Sequence, residues 1–284
     1  MTVLTTALRT VTLPNGEIIP ALGQGTWHMV EDPRRRTDEI AALRLGIDLG
    51  MSLIDTAELY ADGDAEVLVG EAIKGCREQV FLVSKVLPHH ATVADTIEAC
   101  EGSLLRLGVS VIDLYLLHWR SPIPLERTVE AFERLQSVGK IRSWGVRNFD
   151  LSDMQDLIDI AGGDQVSTNQ VLYNLEYRGI EYDLLPWCEG TGLPIMSYSP
   201  IEQGQVLDHP VLRSVAARHR ATAAQVALAW VLRKNNVCAI PRASRPAHVR
   251  ENRIALDIHS SASDCAELDH AFPAPMQKQP LAAH

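Results

Sequence analysis

The sequence repeats one pattern almost throughout: a short apolar run, then a segment whose apolar residues recur three and four positions apart. The apolar runs predict eight β-strands, at residues 21–25, 52–55, 80–85, 111–118, 143–146, 167–170, 194–198 and 237–240. Between them, helices are predicted at residues 38–50, 92–106, 125–138 and 222–234, and another helix is predicted to begin at Ser152-Asp153. Strands that alternate with helices form a parallel sheet, and eight units in roughly 250 residues suit a closed (β/α)8 TIM barrel, an α/β fold.

The two ends of the chain depart from this pattern. Residues 10–13 and 17–19 flank the turn triplet Pro14-Asn15-Gly16 and predict an N-terminal β-hairpin. A C-terminal helix is predicted at residues 263–271, followed by a proline-containing tail at 273–284 that we expect on the surface. No flexible linker interrupts the chain, so residues 1–284 are predicted to form a single domain. A doubly wound open sheet is less favoured, because no G-x-G-x-x-G follows the first strand.

Composition restricts the partners of the chain. The formal net charge is -10, which argues against non-specific nucleic-acid binding. No apolar run is long enough to span a bilayer and no secretory signal is evident, so a membrane partner is not expected. The five cysteines form no C-x-x-C pair, which is typical of free thiols in a reducing compartment. We therefore expect a cytoplasmic protein that is a monomer or a weak oligomer.

Four polar residues lie at or just past the carboxyl ends of three consecutive predicted strands. They are Asp55, Tyr60, Lys85 and His118. Each type alone is more often structural: an aspartate caps a turn, a tyrosine lies at a boundary, a lysine is solvated and a histidine is a rim residue. In a barrel, however, active sites lie at this end, and neighbouring strands are about 4.8 Å apart. Their joint placement therefore predicts a proton-transfer site.

These residue types suit general acid catalysis. A phenol ordinarily titrates near a pH of about 10, too high for efficient proton donation at neutral pH. An ammonium group beside a phenol favours the phenolate, and a carboxylate holds such an ammonium group in place. An imidazole nearby can orient a carbonyl oxygen or relay a proton.

A basic segment follows the last predicted strand. Residues 240–253 carry four arginines, one histidine and one glutamate. The segment is either a solvated helix face or, since it opens a helix after a strand, a site for a phosphate group.

The motifs of the chain resemble those of the aldo-keto reductase superfamily over nearly its whole length. Asp55-Thr56-Ala57 with Tyr60, then Glu66 and Gly70, resembles the Asp-Thr-Ala-x-x-Tyr motif of the family. The family's lysine and histidine motifs and the segment that leads to its fifth strand are similar to residues 83–85, 116–119 and 139–149. Ile240-Pro241-Arg242 resembles its cofactor phosphate motif. Within the superfamily, residues 60–63 and 178–188 are most similar to bacterial reductases of the methylglyoxal reductase type.

The resemblance implies NADP(H) bound across the mouth of a barrel. It makes Tyr60 the proton donor, tuned by Lys85 and Asp55, with His118 orienting a carbonyl. Residues implied to contact the cofactor are Asn148 and Gln170 at the nicotinamide amide, Tyr198 under the ring, Ser199 and Ile201 at the pyrophosphate, Arg242 and Arg245 at the 2′-phosphate, and His248, Glu251 and Asn252 near the adenine. Trp27 and Trp119 match aromatic walls of the substrate pocket.

The chain departs from the family pattern in several places. Arg147 stands where a serine usually precedes Asn148, which affects one contact to the nicotinamide amide. Ala243 and Ser244 follow Arg242 where many NADP-specific members have Lys-Ser, and His248 replaces an arginine. The arginines that remain match phosphate geometry, so NADPH is predicted over NADH. The stretch 201–208 is short, which predicts fast cofactor exchange.

The leading hypothesis is NADPH-dependent reduction of a small aldehyde, ketone or α-dicarbonyl, with no metal. One alternative is a Schiff-base lyase or aldolase that uses Lys85 as nucleophile. Another is a non-enzymatic module that senses NADP(H). A metal hydrolase using His89, His90 and His118 is not favoured, because the first two follow Pro88 in an exposed loop without a clear third partner.

Overall fold

The computed structural model describes residues 8–284, and a ring of parallel strands lies at its centre. An antiparallel hairpin comes first, made of β1 (Thr10–Thr12) and β2 (Ile18–Pro20). The eight strands of the ring are β3 (Gln24–Gly25), β4 (Leu53–Asp55), β5 (Phe81–Val86), β6 (Ile112–Leu117), β7 (Ile141–Arg147), β8 (Asn169–Leu172), β9 (Ile195–Tyr198) and β10 (Val237–Ala239). Each strand pairs in parallel with the next along the chain. The predicted (β/α)8 barrel is confirmed.

The ring closes between β10 and the segment around β3. Gly23 N donates to Ala239 O and Ala239 N donates to Ala21 O, both at 2.8 Å. A Cβ atom on Gly25 would lie 2.7 Å from the backbone oxygen of Ile240, so glycine permits the close approach at this seam. Residues 21–23 bond across the seam and only Gln24–Gly25 pairs with β4, which is why β3 is shorter than the predicted strand.

Within residues 8–284, ten α-helices connect and cover the strands. They are α1 (Arg36–Asp48), α2 (Asp64–Ile73), α3 (Val93–Leu107), α4 (Leu125–Ser137), α5 (Leu151–Ile158), α6 (Leu184–Thr191), α7 (Pro210–Arg218), α8 (Ala223–Leu232), α9 (Pro246–Ile254) and α10 (Ala262–Ala271). Sequence analysis missed α2, α6 and α7, which are among the shorter ones. Pro210 at the first position of α7 was a usable signal, since proline suits that position. No helix within residues 8–284 is long and apolar enough to cross a membrane.

The hairpin covers the amino end of the barrel. Val11 and Ile19 lie opposite each other in the hairpin and are both buried. The Asn15 side chain donates to Ser143 Oγ near the start of β7, at 3.0 Å. With this end covered, the loops that follow the strands are left to form a site at the carboxyl end. The single-domain interpretation remains a prediction, and residues 1–7 lie outside the described part of the chain.

The five cysteines are all free thiols. Burial raises the pKa of Cys100, Cys188 and Cys238 to about 12. These three thiols therefore stay protonated at neutral pH and act as small apolar side chains in the core.

Candidate active site

Unusual backbone conformations are concentrated at the carboxyl end of the barrel. Nine described residues other than glycine have positive φ angles, and all except Arg220 lie in loops that follow barrel strands. They are His28 and Val30 after β3, Ala61 and Asp62 after β4, Asn148 after β7, and Ser199, Glu202 and Gln203 after β9. Such conformations cost free energy and persist where the surrounding structure imposes them. The concentration of strain marks this end as the candidate site.

Lys85 is the centre of the cluster. Its side chain is fully buried, and its Nζ atom lies 2.8 Å from Asp55 Oδ2, 2.8 Å from Thr56 O and 3.1 Å from Tyr60 Oη. The three hydrogens of the ammonium group therefore have three acceptors. The structure thus brings together three of the four predicted catalytic residues.

Tyr60 lies at the boundary between this cluster and the mouth of the barrel. Its side chain is 9% exposed, and the Lys85 ammonium lies 4.7 Å from the centre of its ring. Lys85 donates to the phenol oxygen, so the hydroxyl hydrogen of Tyr60 is free to point elsewhere.

His118 completes the predicted set of four. It follows β6, and its ring meets the Tyr60 ring edge-on, with 5.8 Å between the ring centres. Burial, together with the positive charges of Lys85 and Arg147, lowers the pKa of His118 far below its ordinary value. The imidazole is therefore neutral at physiological pH. Its Nδ1 atom is buried without a hydrogen-bond partner among the described residues.

Gln170 has a role that the sequence did not reveal. Its Nε2 atom donates to Asp55 Oδ1 at 2.7 Å, so the carboxylate is held by Lys85 on one oxygen and by Gln170 on the other. The other end of the amide, Oε1, is buried and has no partner among the described residues. One half of Gln170 thus supports the catalytic cluster, and the other half is available to a ligand.

Asn148 and Tyr198 contact each other across the mouth. The Tyr198 hydroxyl donates to Asn148 Oδ1 at 3.1 Å. Burial raises the pKa of Tyr198, so this phenol remains protonated. The guanidinium carbon of Arg147 lies 4.1 Å from the centre of the Tyr198 ring. Arg147 therefore covers part of the surface on which the resemblance places the nicotinamide.

The loop after β9 packs against helices α7 and α8. Ser199 and Ile201 are partly buried within it, and residues Glu202–Asp208 form a 3-10 helix that contacts α7 and α8. Glu202 is buried, and its carboxylate accepts a hydrogen bond from Asn174 Nδ2 at 2.8 Å. Its backbone N–H donates to Ser199 O at 2.9 Å. Neither Glu202 nor Asn174 was identified from the sequence, because no local motif marks them.

The tail also reaches this loop. Most of residues 273–284 are exposed, as expected, but His284 N donates to Tyr198 Oη at 3.2 Å. The His284 ring lies 3.0 Å from Glu202 Oε1 through its Nε2 atom. The tail is thus a surface segment whose last residue contacts the mouth of the barrel.

The basic segment forms the start of α9 and the loop before it. Arg242, Arg245 and His248 are exposed, and Arg242 Nη1 donates to His28 O at 3.0 Å. Arg245 immediately precedes the helix. Glu251 is partly buried, whereas Asn252 is buried with an Nδ2 atom that has no partner among the described residues. Of its two interpretations, this arrangement fits the phosphate site.

The two tryptophans lie close to the catalytic residues. Trp27 packs against the small cluster of Ala57, Tyr60 and Ala65. Trp119 is 38% exposed, and its ring centre lies 4.9 Å from that of His118. Both positions fit the predicted walls of a pocket above the catalytic residues.

A second polar network lies behind Lys85. Glu66 on α2 is fully buried and accepts from Ser84 Oγ at 2.5 Å and from Arg106 Nε at 2.6 Å. Ser84 immediately precedes Lys85 on β5, so the network holds the strand that carries the catalytic lysine. Sequence analysis placed Glu66 in a motif but gave it no role.

The model of the aldo/keto reductase family matches residues 21–272. The chain belongs to the aldo/keto reductase family. Membership of this family makes the chain an oxidoreductase.

Individual relatives are similar over almost their full length. The chain is 53% identical to methylglyoxal reductase YeaE of Escherichia coli over 268 residues, which cover 93% of this chain and 94% of that protein. It is 34% identical to a glyoxal reductase of Bacillus subtilis, over 92% of this chain and 91% of that one. An aldo-keto reductase from Klebsiella pneumoniae, crystallised with NADPH, superposes with a TM-score of 0.96 at 49% identity, covering 98% and 100% of the two chains.

The side chains of the mouth fit a nicotinamide cofactor. Gln170 Oε1 is an unpartnered acceptor that suits the NH2 group of a carboxamide, and Asn252 Nδ2 is an unpartnered donor that suits a ring nitrogen. Exposed guanidinium groups at the start of α9 suit a phosphate. An unpaired buried polar atom costs free energy, so a ligand that pairs with these atoms gains affinity.

Proposed function

We propose that this protein is an NADPH-dependent reductase that converts small aldehydes, ketones or α-dicarbonyls into alcohols. The observation that carries the proposal is the three-acceptor arrangement around Lys85, which leaves the hydroxyl hydrogen of Tyr60 free to face the mouth. The cofactor supplies a hydride to the carbonyl carbon when it is bound. Residues of this chain donate the proton, orient the substrate and hold the cofactor.

Tyr60 is the proton donor in this mechanism. Negative charge develops on the carbonyl oxygen during reduction, and the phenol hydrogen moves to that oxygen. The Lys85 ammonium, 3.1 Å from the phenol oxygen, stabilises the negative charge left on Tyr60. Asp55 and Thr56 O hold the ammonium in place, so little reorganisation is needed when the proton moves.

His118 orients the substrate. A neutral imidazole can donate one hydrogen bond to a carbonyl oxygen and cannot compete with Tyr60 as a strong acid. The lowered pKa of His118 keeps it in this neutral form. Trp27 and Trp119 would form apolar walls beside the reacting carbonyl.

The cofactor would be held along an arc from β7 to α9. Asn148 and Gln170 would bind the nicotinamide amide, and Tyr198 would support its ring. Ser199 and Ile201 would contact the pyrophosphate. The 2′-phosphate would lie against Arg242 and Arg245, with His248, Glu251 and Asn252 near the adenine. Support comes from the unpartnered atoms of Gln170 and Asn252 and from the exposed basic residues.

The alternative functions lack comparable support. A Schiff-base lysine must be a neutral amine with a free lone pair, whereas Lys85 is fully buried with an acceptor for each of its three hydrogens. A non-enzymatic sensor has no need of the strained, fully partnered cluster around Tyr60. Within residues 8–284 no three histidine, cysteine or carboxylate side chains are grouped to hold a metal, so a hydrolase site has no support there.

The proposal also extends to substrate and setting. Methylglyoxal is a member of the proposed substrate class, because the relatives named above include a methylglyoxal reductase and a glyoxal reductase. The short loop of residues 120–124 leaves the pocket open, which favours broad specificity. A cytoplasmic location, a monomeric or weakly oligomeric state and the lack of a nucleic-acid partner belong to the same proposal.

NADPH oxidation with a panel of aldehydes, dicarbonyls and keto-sugars tests the function directly. The variant Tyr60→Phe should lower kcat by about 100- to 10,000-fold, the range that one general acid supplies. Binding of NADPH, followed by quenching of protein fluorescence, should be unchanged. Wild-type protein that binds NADPH but oxidises it with none of these carbonyls would show that the chain is a sensor instead.

A further inference from the structure

Arg147 is a buried cation that the proposed reaction does not use. It is the last residue of β7, it is 7% exposed, and its backbone pairs in register with Gln170. No carboxylate forms an ion pair with it, and its Nε atom has no hydrogen-bond partner among the described residues. Its guanidinium carbon lies 4.1 Å from the centre of the Tyr198 ring.

The charge balance of the mouth is therefore incomplete. Lys85 is neutralised by Asp55, 2.8 Å away. Glu202, the buried carboxylate on the β9 side, is bonded to Asn174 and His284. His118 is neutral. This leaves the charge of Arg147 without a counterion, and a buried charge is stable only when it is paired or hydrogen-bonded.

The guanidinium lies beside the catalytic cluster at the carboxyl end of the barrel. Its carbon is 4.1 Å from the centre of the Tyr198 ring, and its charge helps to lower the pKa of His118. A planar guanidinium binds a carboxylate through two parallel hydrogen bonds. An anionic group attached to the substrate would satisfy Arg147 without disturbing the catalytic cluster.

We propose that Arg147 is a specificity-determining residue that binds a carboxylate next to the reacting carbonyl, so that 2-oxo acids and aldehyde acids are substrates. The inference rests on the reductase function proposed above. In the reaction the carbonyl carbon gains a hydride from the reduced cofactor, which is oxidised, and the carbonyl oxygen gains the Tyr60 proton. The carboxylate is unchanged, and the product is a 2-hydroxy acid.

Two aldehydes, one anionic and the other its neutral methyl ester, test the proposed role of Arg147. Glyoxylate carries a carboxylate, and methyl glyoxylate carries its neutral ester. The variant Arg147→Met should lower kcat/KM for glyoxylate roughly 30- to 1,000-fold, the range for removing one partner of a buried charge pair. Activity toward the ester should fall much less, so the ratio of the two kcat/KM values measures the contact with the carboxylate. Arg147→Lys should recover part of the glyoxylate activity, because it keeps the charge and loses the two-pronged geometry.

Arg142→Met is the matched control, since Arg142 lies at the exposed start of the same strand beside Asp113. This variant should have the same kcat/KM as the wild-type protein for both substrates. Thermal unfolding followed by circular dichroism verifies that each variant is folded.

A binding measurement separates the possible outcomes. Oxamate, an unreactive carboxylate, is titrated by calorimetry into the NADP+-saturated wild-type and Arg147→Met proteins, and NADP+ is titrated separately. Loss of oxamate binding with unchanged NADP+ affinity supports the inference. If Arg147→Met instead weakens the binding of NADP+ and lowers kcat/KM for both substrates equally, Arg147 binds the cofactor and the inference is overturned.

Wild-type protein that reduces the ester and not glyoxylate also overturns the inference, while the reductase function stands. If neither aldehyde is reduced, the reductase function fails, and oxamate still decides whether Arg147 binds a carboxylate.

Discussion

The mouth of the barrel has two unlike halves. On the side of β4 to β6, Lys85 is fully buried and each hydrogen of its ammonium group has an acceptor. On the side of β7 to α9, Gln170 Oε1, Asn252 Nδ2 and Arg147 Nε lack partners within residues 8–284, and Arg242 and Arg245 are exposed. The lysine cluster of the first half is complete by itself, whereas His118 Nδ1 beside it has no partner within residues 8–284. The second is arranged as a surface that a ligand completes.

The difference follows from what each half must do. A proton donor works best when its neighbours are fixed before the reaction begins. A binding surface gains affinity from atoms that have no partner until the ligand arrives. Substitutions in the first half should therefore affect stability and rate, whereas those in the second should affect affinity and selectivity.

Lys85→Met should have the largest effect. It leaves Asp55 buried with only Gln170 as a partner, and removing one member of a buried ion pair costs about 3–5 kcal/mol in free energy of unfolding. Urea denaturation measures the loss. The double variant Asp55→Asn/Lys85→Met should recover most of the stability and none of the activity. A stable single variant would mean that the first half is less tightly coupled than its hydrogen bonds indicate.

Arg242→Met should have a smaller effect that is confined to the cofactor. A hydrogen-bonded charge contact to the 2′-phosphate is worth about 1.5–3 kcal/mol, so the Kd for NADPH should rise roughly 10- to 100-fold. The Kd for NADH, which lacks that phosphate, should be nearly constant. Fluorescence titration measures both, with the exposed Arg250→Met of α9 as control. Equal losses for the two cofactors would place the phosphate elsewhere.

The pH dependence of stability should reveal the neutral His118. Its pKa is lowered in the folded protein, so below a pH of about 6.5 the unfolded chain binds a proton at this position that the folded chain does not. The free energy of unfolding should therefore fall by about 1.4 kcal/mol for each pH unit below that value. His118→Gln should lack this slope in urea titrations at pH 7.5, 6.5 and 5.5. Parallel pH profiles for the two proteins would indicate that the imidazole titrates normally.

The last prediction concerns the rate at which the cofactor is released, for which the smallest effect is expected. The Glu202–Asp208 helix contacts α7 and α8, so it is expected to leave the pyrophosphate region open. Release of NADP+ in stopped-flow fluorescence should be faster than turnover. Release much slower than turnover would mean that this segment closes over the cofactor.

Local sequence predicted much of this molecule because its signals are periodic. The strands that carry Asp55, Lys85 and His118 form close to their predicted limits, since each is a continuous apolar run buried on both faces. The helices that begin after Thr92 and Thr222 were predicted because their apolar residues recur three and four positions apart. Both begin with a threonine cap. The short helices α2, α6 and α7 offered too few turns for a periodic pattern.

The site was predictable as a set of residues and not as a set of contacts. Motifs named Gln170, but its bond to Asp55 joins residues 115 positions apart. Likewise, the sequence marked Arg147 as unusual, yet only the structure places its guanidinium against Tyr198 and without a counterion. Glu202 and Asn174 had no signal at all, because their pairing depends on the loop after β9.

The sequence by itself determined the barrel, the family and the four side chains proposed to be catalytic. Those follow from periodicity and from motifs that are each contained in a few neighbouring residues. Tertiary structure alone decided which hydrogen bonds are satisfied, which charges are paired and where the last residue of the tail lies. Those properties depend on burial and on distances between strands, and both arise only when the ring closes.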